Sequence, residues 1–317
     1  MKAVVLDGFT LNPGDLSWGE LEKTVDFCEI YDYTAEDQIL ERSGNADVLI
    51  TNKTSLIAET IAQLPQLKYI GVLATGYNVI DMDAAHKRGI IVTNIPAYST
   101  DSVAQLVFAH LLNIVSQVAY HSGEVKKGRW TQCRDFSFRD KPLMELAGLT
   151  FGIMGLGNIG KRVAQIAQVF GMKVIASTSK AQDELPSGIL KVDMETLFRQ
   201  SDVLSLHVPL NEETQRIINE KNLCLMKPSS ILINTSRGGL IDECALAKAL
   251  NEEKLFAAGL DVLSTEPPTA DNPLLIAKNC YITPHYAWAT KQARIRLMKI
   301  ATENLAAFIK GKPQNRI

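Results

Sequence analysis

The fold is decided by one stretch of sequence, Thr150-Phe151-Gly152-Ile153-Met154-Gly155-Leu156-Gly157-Asn158-Ile159-Gly160. An apolar, strand-like run leads into spaced glycines, and a helix-like segment follows. Gly155 permits a tight turn, Gly157 lets the backbone approach a phosphate, and Gly160 lets the helix pack closely on the sheet. The first N–H groups of that helix, near Asn158 and Ile159, favour a bound anion. The stretch therefore predicts the pyrophosphate site of a dinucleotide-binding βαβ unit.

On both sides of this stretch, short aliphatic runs alternate with helix-like segments. This alternation is typical of parallel sheets covered by helices. Helical periodicity predicts two long helices, at 102–122 and 291–309. The predicted strands are 3–6, 47–51, 69–72, 90–94, 150–154, 173–176, 203–207, 230–234, 258–262 and 281–283. We expect an α/β protein of two doubly wound domains: a dinucleotide-binding domain at 101–288 and a substrate domain formed by 1–100 and 289–317.

Composition narrows the range of partners. Among 317 residues, 33 Lys and Arg nearly balance 35 Asp and Glu, so no bulk charge favours nucleic acid or an anionic membrane. The N-terminal apolar run is too short for a leader, and no later run approaches the about 18 apolar residues of a membrane span. The cysteines are odd in number and lack CxxC spacing, which predicts free thiols and no metal site: Cys28, Cys133, Cys224, Cys244 and Cys280. We expect a cytoplasmic protein whose partners are small molecules or other subunits.

The strand after the glycine motif ends in Ser177-Thr178-Ser179-Lys180. An NAD-binding unit usually carries an acidic residue here, about 20 positions after the first glycine, to hold the adenosine ribose hydroxyls. No carboxylate in these four residues would repel a 2′-phosphate, and Lys180 with the neighbouring hydroxyls is suited to accept one. Alternatively, Lys180 is a solvated loop lysine. NAD and NADP therefore both stay open as cofactors.

Polar or charged side chains follow three later apolar runs, at Arg237, Asp261 and His285. Ligands of an open α/β sheet bind beyond the carboxyl ends of its strands, so we expect these three at one edge, with Glu266 in a nearby loop. Reduction of a 2-oxo acid needs a cation for the carboxylate, a proton donor, and a carboxylate that orients the donor. Arg237, His285 and Glu266 suit these roles in that order. Each alone has an ordinary structural explanation, but together beside a nucleotide motif they indicate catalysis.

These motifs resemble the D-isomer-specific 2-hydroxyacid dehydrogenase family over nearly the whole chain. The resemblance implies a Rossmann domain inserted into a flavodoxin-like substrate domain, and an enzyme that forms a homodimer. It also implies that Arg237 binds the substrate carboxylate and carbonyl, and that Glu266 increases the basicity of His285. His285 would then protonate the keto oxygen as hydride arrives from a nicotinamide. The matching stretches are 155–160, 205–210 (SLHVPL), 234–239 (NTSRGG), 259–262 (GLDV) with Glu266-Pro267, and 283–285 (TPH).

The same resemblance assigns the cofactor crevice. It favours NAD over NADP and implies that Asp261 holds the nicotinamide carboxamide. The other residues expected to contact the cofactor are Gly155, Gly157, Asn158, Ile159, Gly160, Ser177, Thr178, Ser179, Lys180, His207, Val208, Pro209, Thr235 and Ser236.

Substrate recognition is expected from the N-terminal part of the chain. The segment 73–81 resembles the family's GTGYNNVD loop, so Thr75 and Gly76 are expected to bind a carboxylate through backbone N–H groups and Tyr77 to wall the pocket. The segments 7–18, 52–54 with Lys53, and 285–290 look like the glycerate dehydrogenase (hydroxypyruvate reductase) branch. Trp288 is expected to press on a short substrate and present its indole N–H. The alternative for Trp288 is a position in the core.

Three functions stay open from the sequence. The favoured one is interconversion of hydroxypyruvate and D-glycerate with a nicotinamide dinucleotide. The second is a broader D-2-hydroxyacid dehydrogenase that acts on glyoxylate or pyruvate. The third is a dinucleotide-sensing scaffold without turnover, and the presence of Arg237, Glu266 and His285 argues against it.

Overall fold

The computed structural model describes residues 1–140 and 142–317, which divide into two compact units. The first unit comprises Met1–Ser99 and Ala289–Ile317, and the second comprises Thr100–Trp288. Both are α/β structures with parallel sheets. The predicted fold class is therefore confirmed.

The first unit contains a sheet in the order β2-β1-β3-β4-β5, with every pair parallel. This is the flavodoxin-like order. Its strands are β1 Lys2–Val5, β2 Phe27–Ile30, β3 Val48–Thr51, β4 Tyr69–Val72 and β5 Ile91–Thr93. Its helices are α1 Gly19–Glu22, α2 Ile39–Ser43, α3 Ala58–Ala62, α4 Met82–Lys87 and, at the end of the chain, α11 Lys291–Ile309.

The second unit begins with α5 Thr100–Ser116 and α6 Val118–Lys126. Its parallel sheet has the order β12-β11-β10-β9-β6-β7-β8, which extends the Rossmann pattern. The strands are β6 Thr150–Met154, β7 Lys173–Ser177, β8 Ile189–Lys191, β9 Val203–Leu206, β10 Ile231–Asn234, β11 Ala257–Leu260 and β12 Cys280–Ile282. The helices that follow are α7 Asn158–Val169, α8 Met194–Gln200, α9 Glu220–Leu223 and α10 Glu243–Asn251. Short 3₁₀ turns in the two units lie at Glu36–Gln38, Trp130–Gln132, Gln182–Glu184, Gly238–Leu240 and Pro273–Leu275.

The larger sheet is covered on both faces, as its continuous apolar strands predict. Along β10, Ile231 and Ile233 belong to one buried cluster, whereas Leu232 between them belongs to the other. Since successive side chains of a strand point to opposite faces, one short apolar segment contributes to two cores. Packing on both faces therefore fixes the positions of the carboxyl ends of the strands, and the candidate site lies at these ends.

The sequence prediction was wrong in three places. It missed β2 and β8, which lie at the edges of their sheets. It also predicted one helix over 102–122, whereas α5 ends at Ser116 and α6 begins at Val118. Gln117 between them has a left-handed backbone with φ of 50°. By contrast, α11 has the predicted limits, and the Thr290 side chain caps it by accepting a hydrogen bond from the Ala293 N–H.

In the part of the chain that the structure describes, no single helix is long and apolar enough to cross a membrane. The pair α5 and α6 reaches the required length and composition only when taken together, and the two helices are bent by 54°.

Candidate active site

The turn after β6 has the geometry that its glycines predict. Gly155 has φ of 91°, and a Cβ there would lie 2.7 Å from the His207 carbonyl oxygen. A Cβ on Gly160 would lie 2.2 Å from the Gly155 oxygen, so α7 packs directly on the turn. At Gly157, in contrast, nothing lies within 4 Å of the added atom. The turn is therefore closed against the protein at two glycines and open at the third, where a phosphate would approach.

Two buried polar atoms beside this turn lack a hydrogen-bond partner within the described residues: Nδ1 of His207 and Oγ1 of Thr235. The other ring nitrogen of His207, Nε2, makes a 2.9 Å hydrogen bond with Ser205 Oγ. Burial lowers the pKa of His207 to about 3, so the ring is neutral at pH 7. Buried polar groups are normally satisfied. Two orphaned atoms at the ends of β9 and β10 fit a site that a polar ligand completes, as a dinucleotide would.

The remaining predicted cofactor residues line the same strand ends. Gly155 N–H donates to Ser177 O at 2.9 Å, which joins the turn to the end of β7. Val208 packs against Gly155, where an added Cβ would meet its Cγ1 at 2.8 Å. Pro209 O accepts a hydrogen bond from Thr214 Oγ1. Ser236 Oγ donates to Leu206 O at 2.8 Å, so that hydroxyl holds the loop rather than standing free.

The candidate proton donor forms a tight pair with the predicted carboxylate. His285 Nδ1 donates to Glu266 Oε2 at 2.5 Å. The second oxygen, Oε1, accepts a hydrogen bond from the Leu263 N–H at 3.0 Å, which fixes the carboxylate from the opposite side. With Nδ1 engaged in this way, Nε2 is the ring nitrogen available to exchange a proton with a substrate.

Asp261 supports the turn that carries His285. Asp261 is only 1% exposed. Its Oδ1 accepts hydrogen bonds from the Thr283 hydroxyl at 2.6 Å and the Tyr286 N–H at 3.1 Å. Its Oδ2 accepts one from the Ala287 N–H at 2.8 Å. His285 itself has a left-handed backbone with φ of 50°, an unfavourable conformation that these bonds hold in place.

The network continues into α5. The Thr283 hydroxyl donates to Asp261, so it accepts at 3.1 Å from Nε2 of His110. Burial lowers the pKa of His110 to about 4, and the ring is neutral at pH 7. A Cβ on Gly259 would lie 2.8 Å from Cβ of His110, so glycine on β11 is what admits this histidine.

Arg237 lies at the end of β10 on a loop that side-chain hydrogen bonds shape. Asn234 Nδ2 donates to Arg237 O, and Asn234 Oδ1 accepts from the Ser236 N–H. The next residue, Gly238, packs on the backbone of the segment that leads to Glu266, because an added Cβ would lie 1.9 Å from Leu263 C. The loops of Arg237 and Glu266 are therefore in direct contact, and the exposed guanidinium belongs to the same strand-end edge as the His285–Glu266 pair.

The first unit presents two loops that the sequence assigned to substrate. A buried carboxylate, Asp7, accepts hydrogen bonds from the N–H groups of Asn52, Lys53 and Thr54, and the Lys53 side chain remains exposed. In the second loop Thr75 Oγ1 donates to Ile95 O at 2.8 Å. The same loop leaves Gly76 half-buried and the Tyr77 ring 43% exposed.

The indole N–H of Trp288 donates to His285 O at 2.9 Å, so this single donor is occupied by the turn that carries His285. Trp288 is half-buried. Among the described residues no group of three or more His, Cys, Asp or Glu side chains is placed to hold a metal ion.

Comparison with known proteins identifies the family to which this chain belongs. Residues 108–287 match the profile described as the D-isomer specific 2-hydroxyacid dehydrogenase, NAD binding domain. The chain belongs to that family. It is an oxidoreductase with an NAD-binding domain, and the resemblance seen in the sequence is confirmed.

Full-length relatives agree with this assignment. The chain is 48% identical to a hydroxypyruvate reductase of Blautia hydrogenotrophica, with 99% of each chain covered. It is 40% identical to a glycerate dehydrogenase of Methylorubrum extorquens, covering 99% of this chain and 98% of the relative. Other relatives are named glyoxylate reductase. Among solved structures, an acyclic imino acid reductase in complex with NADPH and D-Arg matches with a TM-score of 0.85 and 35% identity over 100% of both chains.

Sequence reasoning placed three residues in matching stretches without giving them the roles that they have in these loops: Gly238, Asp7 and Thr283. Gly238 lies next to Arg237 in a Gly-Gly pair, which is a sequence signal for close backbone approach. Asp7 and Thr283 each follow a strand, but the residues beside them in the sequence do not show which distant groups they bind. Their roles depend on contacts between parts of the chain that only the sheet brings together.

Proposed function

We propose that this chain reduces hydroxypyruvate to D-glycerate with a reduced nicotinamide dinucleotide. When bound along the glycine turn, the cofactor would supply a hydride for the C2 carbonyl carbon and would itself be oxidised. The chain supplies a proton to the carbonyl oxygen, so the ketone becomes a secondary alcohol and the charges balance. The names of the relatives at 48% and 40% identity support this substrate.

Three side chains divide the work in this proposal. The Arg237 guanidinium binds the substrate carboxylate and polarises the adjacent carbonyl. His285 gives its Nε2 proton to the keto oxygen. Glu266 accepts the Nδ1–H at 2.5 Å and stabilises the imidazolium before the proton is transferred. Neutral His207 and Thr235, with their unpartnered buried atoms, line the cofactor crevice.

The observation that carries the proposal is the His285–Glu266 pair. Its carboxylate is fixed by the Leu263 N–H, and Leu263 also packs against Gly238 beside Arg237. Reduction of a 2-oxo acid requires a proton donor, a carboxylate that orients this donor and a cation that binds the substrate. His285, Glu266 and Arg237 are side chains of these three kinds. Thr75, Gly76, Tyr77 and Lys53 are proposed to contribute substrate contacts from their own unit.

Initial rates with hydroxypyruvate, glyoxylate, pyruvate and a branched 2-oxo acid test the substrate. We expect the highest kcat/KM for hydroxypyruvate. A higher value for glyoxylate would favour the second candidate, a glyoxylate reductase, which the names of other relatives support. Absence of turnover with every acid and with both NADH and NADPH would contradict the proposal. It would favour the third candidate, a dinucleotide-sensing scaffold without turnover.

The proton donor is tested with His285→Ala. We expect kcat to fall at least about a hundredfold, the lower range for a positioned general acid. His86→Ala is the matched control, because that histidine is exposed on α4. Near-normal turnover of the His285 variant would remove this residue from the chemistry.

We also propose that the protein is a cytoplasmic homodimer. Support for the dimer comes from exposed aromatic side chains between α6 and β6, where Phe136 is 90% and Trp130 is 51% exposed. Sedimentation equilibrium should give twice the chain mass, and Phe136→Asp should shift it towards the single chain. Val169→Asp, at another exposed apolar residue on α7, is the control. A single-chain mass for the unaltered protein would contradict the dimer, and fractionation of the source cells tests the location.

A further inference from the structure

The turn that carries His285 follows the edge strand of the larger sheet. Among the described residues, β12 pairs only with β11. An edge strand has one neighbour in the sheet, so it restrains the segment that follows it from one side only. The left-handed backbone of His285 adds a conformational cost that other contacts must offset. The position of this histidine therefore depends on elements outside its own strand.

Helix α5 contacts this turn at two points, one on either side of His285. Before it, the Thr283 hydroxyl accepts a hydrogen bond at 3.1 Å from Nε2 of His110. After it, the Ala287 carbonyl oxygen accepts a hydrogen bond from Ser102 Oγ. At a rise of about 1.5 Å per residue, the two α5 residues are about 12 Å apart along the helix. One helix therefore holds both ends of the turn.

Both α5 side chains that make these contacts are buried. Ser102 and His110 are each 5% exposed, and burial lowers the pKa of His110 to about 4, so its ring is neutral at pH 7. A buried polar group costs free energy unless it is hydrogen-bonded. The hydrogen bonds to the turn offset that cost. The other buried side chains of α5 are apolar: Val103, Ala104, Val107, Phe108, Leu111, Ile114 and Val115.

The direction of these hydrogen bonds follows from Asp261. An ionised carboxylate only accepts, so the Thr283 hydroxyl donates its single proton to Asp261 Oδ1 at 2.6 Å. The same hydroxyl must then accept from His110, which places the ring proton on Nε2. Asp261 Oδ2 accepts the Ala287 N–H, and the Asp261 carbonyl oxygen accepts the His285 N–H at 2.8 Å. A continuous chain of hydrogen bonds therefore joins α5 to the backbone of His285.

We propose that His110 and Ser102 are positioning residues of the oxo acid reduction, because they hold the turn on both sides of His285 and so fix Nε2 of the proton donor. The inference rests on the proposed function, since it takes His285 as that donor. Both residues act through the turn and not on the substrate. Proton transfer requires hydrogen-bond distances, and a displacement of about 1 Å can lower a rate about a hundredfold. Loss of either contact should slow proton transfer while Arg237 still binds the substrate.

Replacement of Thr283 separates positioning from folding. Thr283→Val removes the hydroxyl that joins His110 to Asp261, whereas Thr283→Ser keeps a hydroxyl. We expect kcat to fall at least about tenfold in the valine variant and less than about threefold in the serine variant, with KM for the oxo acid changed less than about threefold in both. The solvent deuterium isotope effect on kcat should rise only in the valine variant, because proton transfer then limits the rate. Thr302→Val, at a half-buried threonine of α11 whose hydroxyl is also hydrogen-bonded, is the matched control and should leave all three quantities unchanged.

The two α5 residues are tested in the same way. His110→Leu fills the space without a donor, and His110→Gln restores an amide N–H. We expect the leucine variant to lower kcat and raise the isotope effect as Thr283→Val does, and the glutamine variant to recover most of the loss. Ser102→Ala should lower kcat by about threefold or more, and Ser43→Ala, at a buried serine of α2, is its control. If His110→Leu and Ser102→Ala lose stability but keep the kcat and isotope effect of the unaltered chain, α5 only supports the fold and the inference is overturned.

A measurement without turnover separates this inference from the proposed function. In the chain with isotopically labelled histidine, nitrogen NMR shifts report the tautomer of His110 and the hydrogen bond from His285 to Glu266. We expect the proton of His110 on Nε2, and we expect the ring signals of His285 to shift in Thr283→Val but not in Thr302→Val. If no oxo acid is reduced but these signals shift, the proposed function fails and the coupling through α5 is supported. If hydroxypyruvate is reduced and Thr283→Val matches the unaltered chain in kcat, isotope effect and ring signals, the function stands and the inference is overturned.

Discussion

Two strand ends of the same sheet differ in whether their charged side chains have partners of opposite polarity in the protein. At the end of β11, Asp261 is buried and accepts three hydrogen bonds from the segment that follows β12. At the end of β7, the amines of Lys161 and Lys180 lie close together, and the charge of Glu184 also acts on Lys180. The first charge is satisfied by the protein and shapes a loop. The second pair keeps two like charges close together, and neither lysine makes an ion pair within 4.0 Å among the described residues.

The first unit repeats the supporting arrangement. Asp7 follows β1 and accepts the N–H groups of Asn52, Lys53 and Thr54, as Asp261 accepts those of Tyr286 and Ala287. In both cases one carboxylate orders a loop at the carboxyl end of a parallel sheet. A buried carboxylate is costly unless it is hydrogen-bonded, so these donors and acceptors depend on each other.

Removing the support at Asp261 should have the largest effect. Asp261→Ala leaves the donors of Thr283, Tyr286 and Ala287 without their acceptor, and we expect the free energy of unfolding to fall by about 3 kcal/mol or more. His285 would lose the backbone conformation that its turn imposes, so kcat should fall as well. Urea unfolding and steady-state kinetics measure both quantities. Glu212→Ala, at an exposed acid, is the control, and equal stability of the two variants would contradict the supporting role.

Acid should weaken the same network through His110. Its pKa is about 4 in the folded chain because it is buried, against about 6.5 when unfolded. Between these values the unfolded chain takes up a proton and the folded chain does not, so stability falls as pH falls through this window. The loss approaches about 3 kcal/mol by pH 4. His110→Gln should flatten this part of the unfolding profile measured from pH 7 to 4. The exposed His86→Gln should not, and an unchanged slope in the first variant would contradict the assignment.

A smaller loss is expected where Arg237 meets the loop of Glu266. Gly238→Ala puts a Cβ 1.9 Å from the Leu263 backbone, so one loop must move. We expect a cost of about 1–3 kcal/mol, typical of overpacking, together with a lower kcat because the His285–Glu266 pair shifts from Arg237. Gly123→Ala is the control, since nothing lies within 4 Å of its added Cβ in α6. If both variants unfold at the same denaturant concentration, the close contact is not a constraint.

The lysine pair should give the smallest stability change. Lys180→Met removes one of two repelling charges at a surface, so we expect the free energy of unfolding to stay within about 0.5 kcal/mol of the unaltered protein. Thermal unfolding without nucleotide measures this. A loss as large as that of Asp261→Ala would mean that Lys180 supports the fold, and the contrast between the two strand ends would disappear.

Much of the fold follows from local sequence. Segments such as 150–154 and 231–234 are short, aliphatic and buried on both faces, so they are recognisable as central parallel strands. The edge strands were missed because an edge strand need not be buried on both faces, so it lacks the continuous apolar run of a central strand. Phe27 in β2 is 53% exposed, and Leu190 in β8 is 57% exposed. The break at Gln117 was missed because the apolar helical pattern continues across it.

The candidate site shows the same division. Motif residues Gly155, Arg237, Glu266 and His285 were chosen from the sequence, since each follows a strand or lies in a recognisable motif. The sequence by itself determined the α/β class, the dinucleotide turn and the family. Only the tertiary structure decided that Trp288 donates to His285, that Gly238 packs on Leu263, and that Lys161 reaches Lys180. The physical reason is that secondary structure and turns depend on neighbours along the chain. Hydrogen bonds and charge contacts depend instead on which strand ends and helices the sheet order brings together.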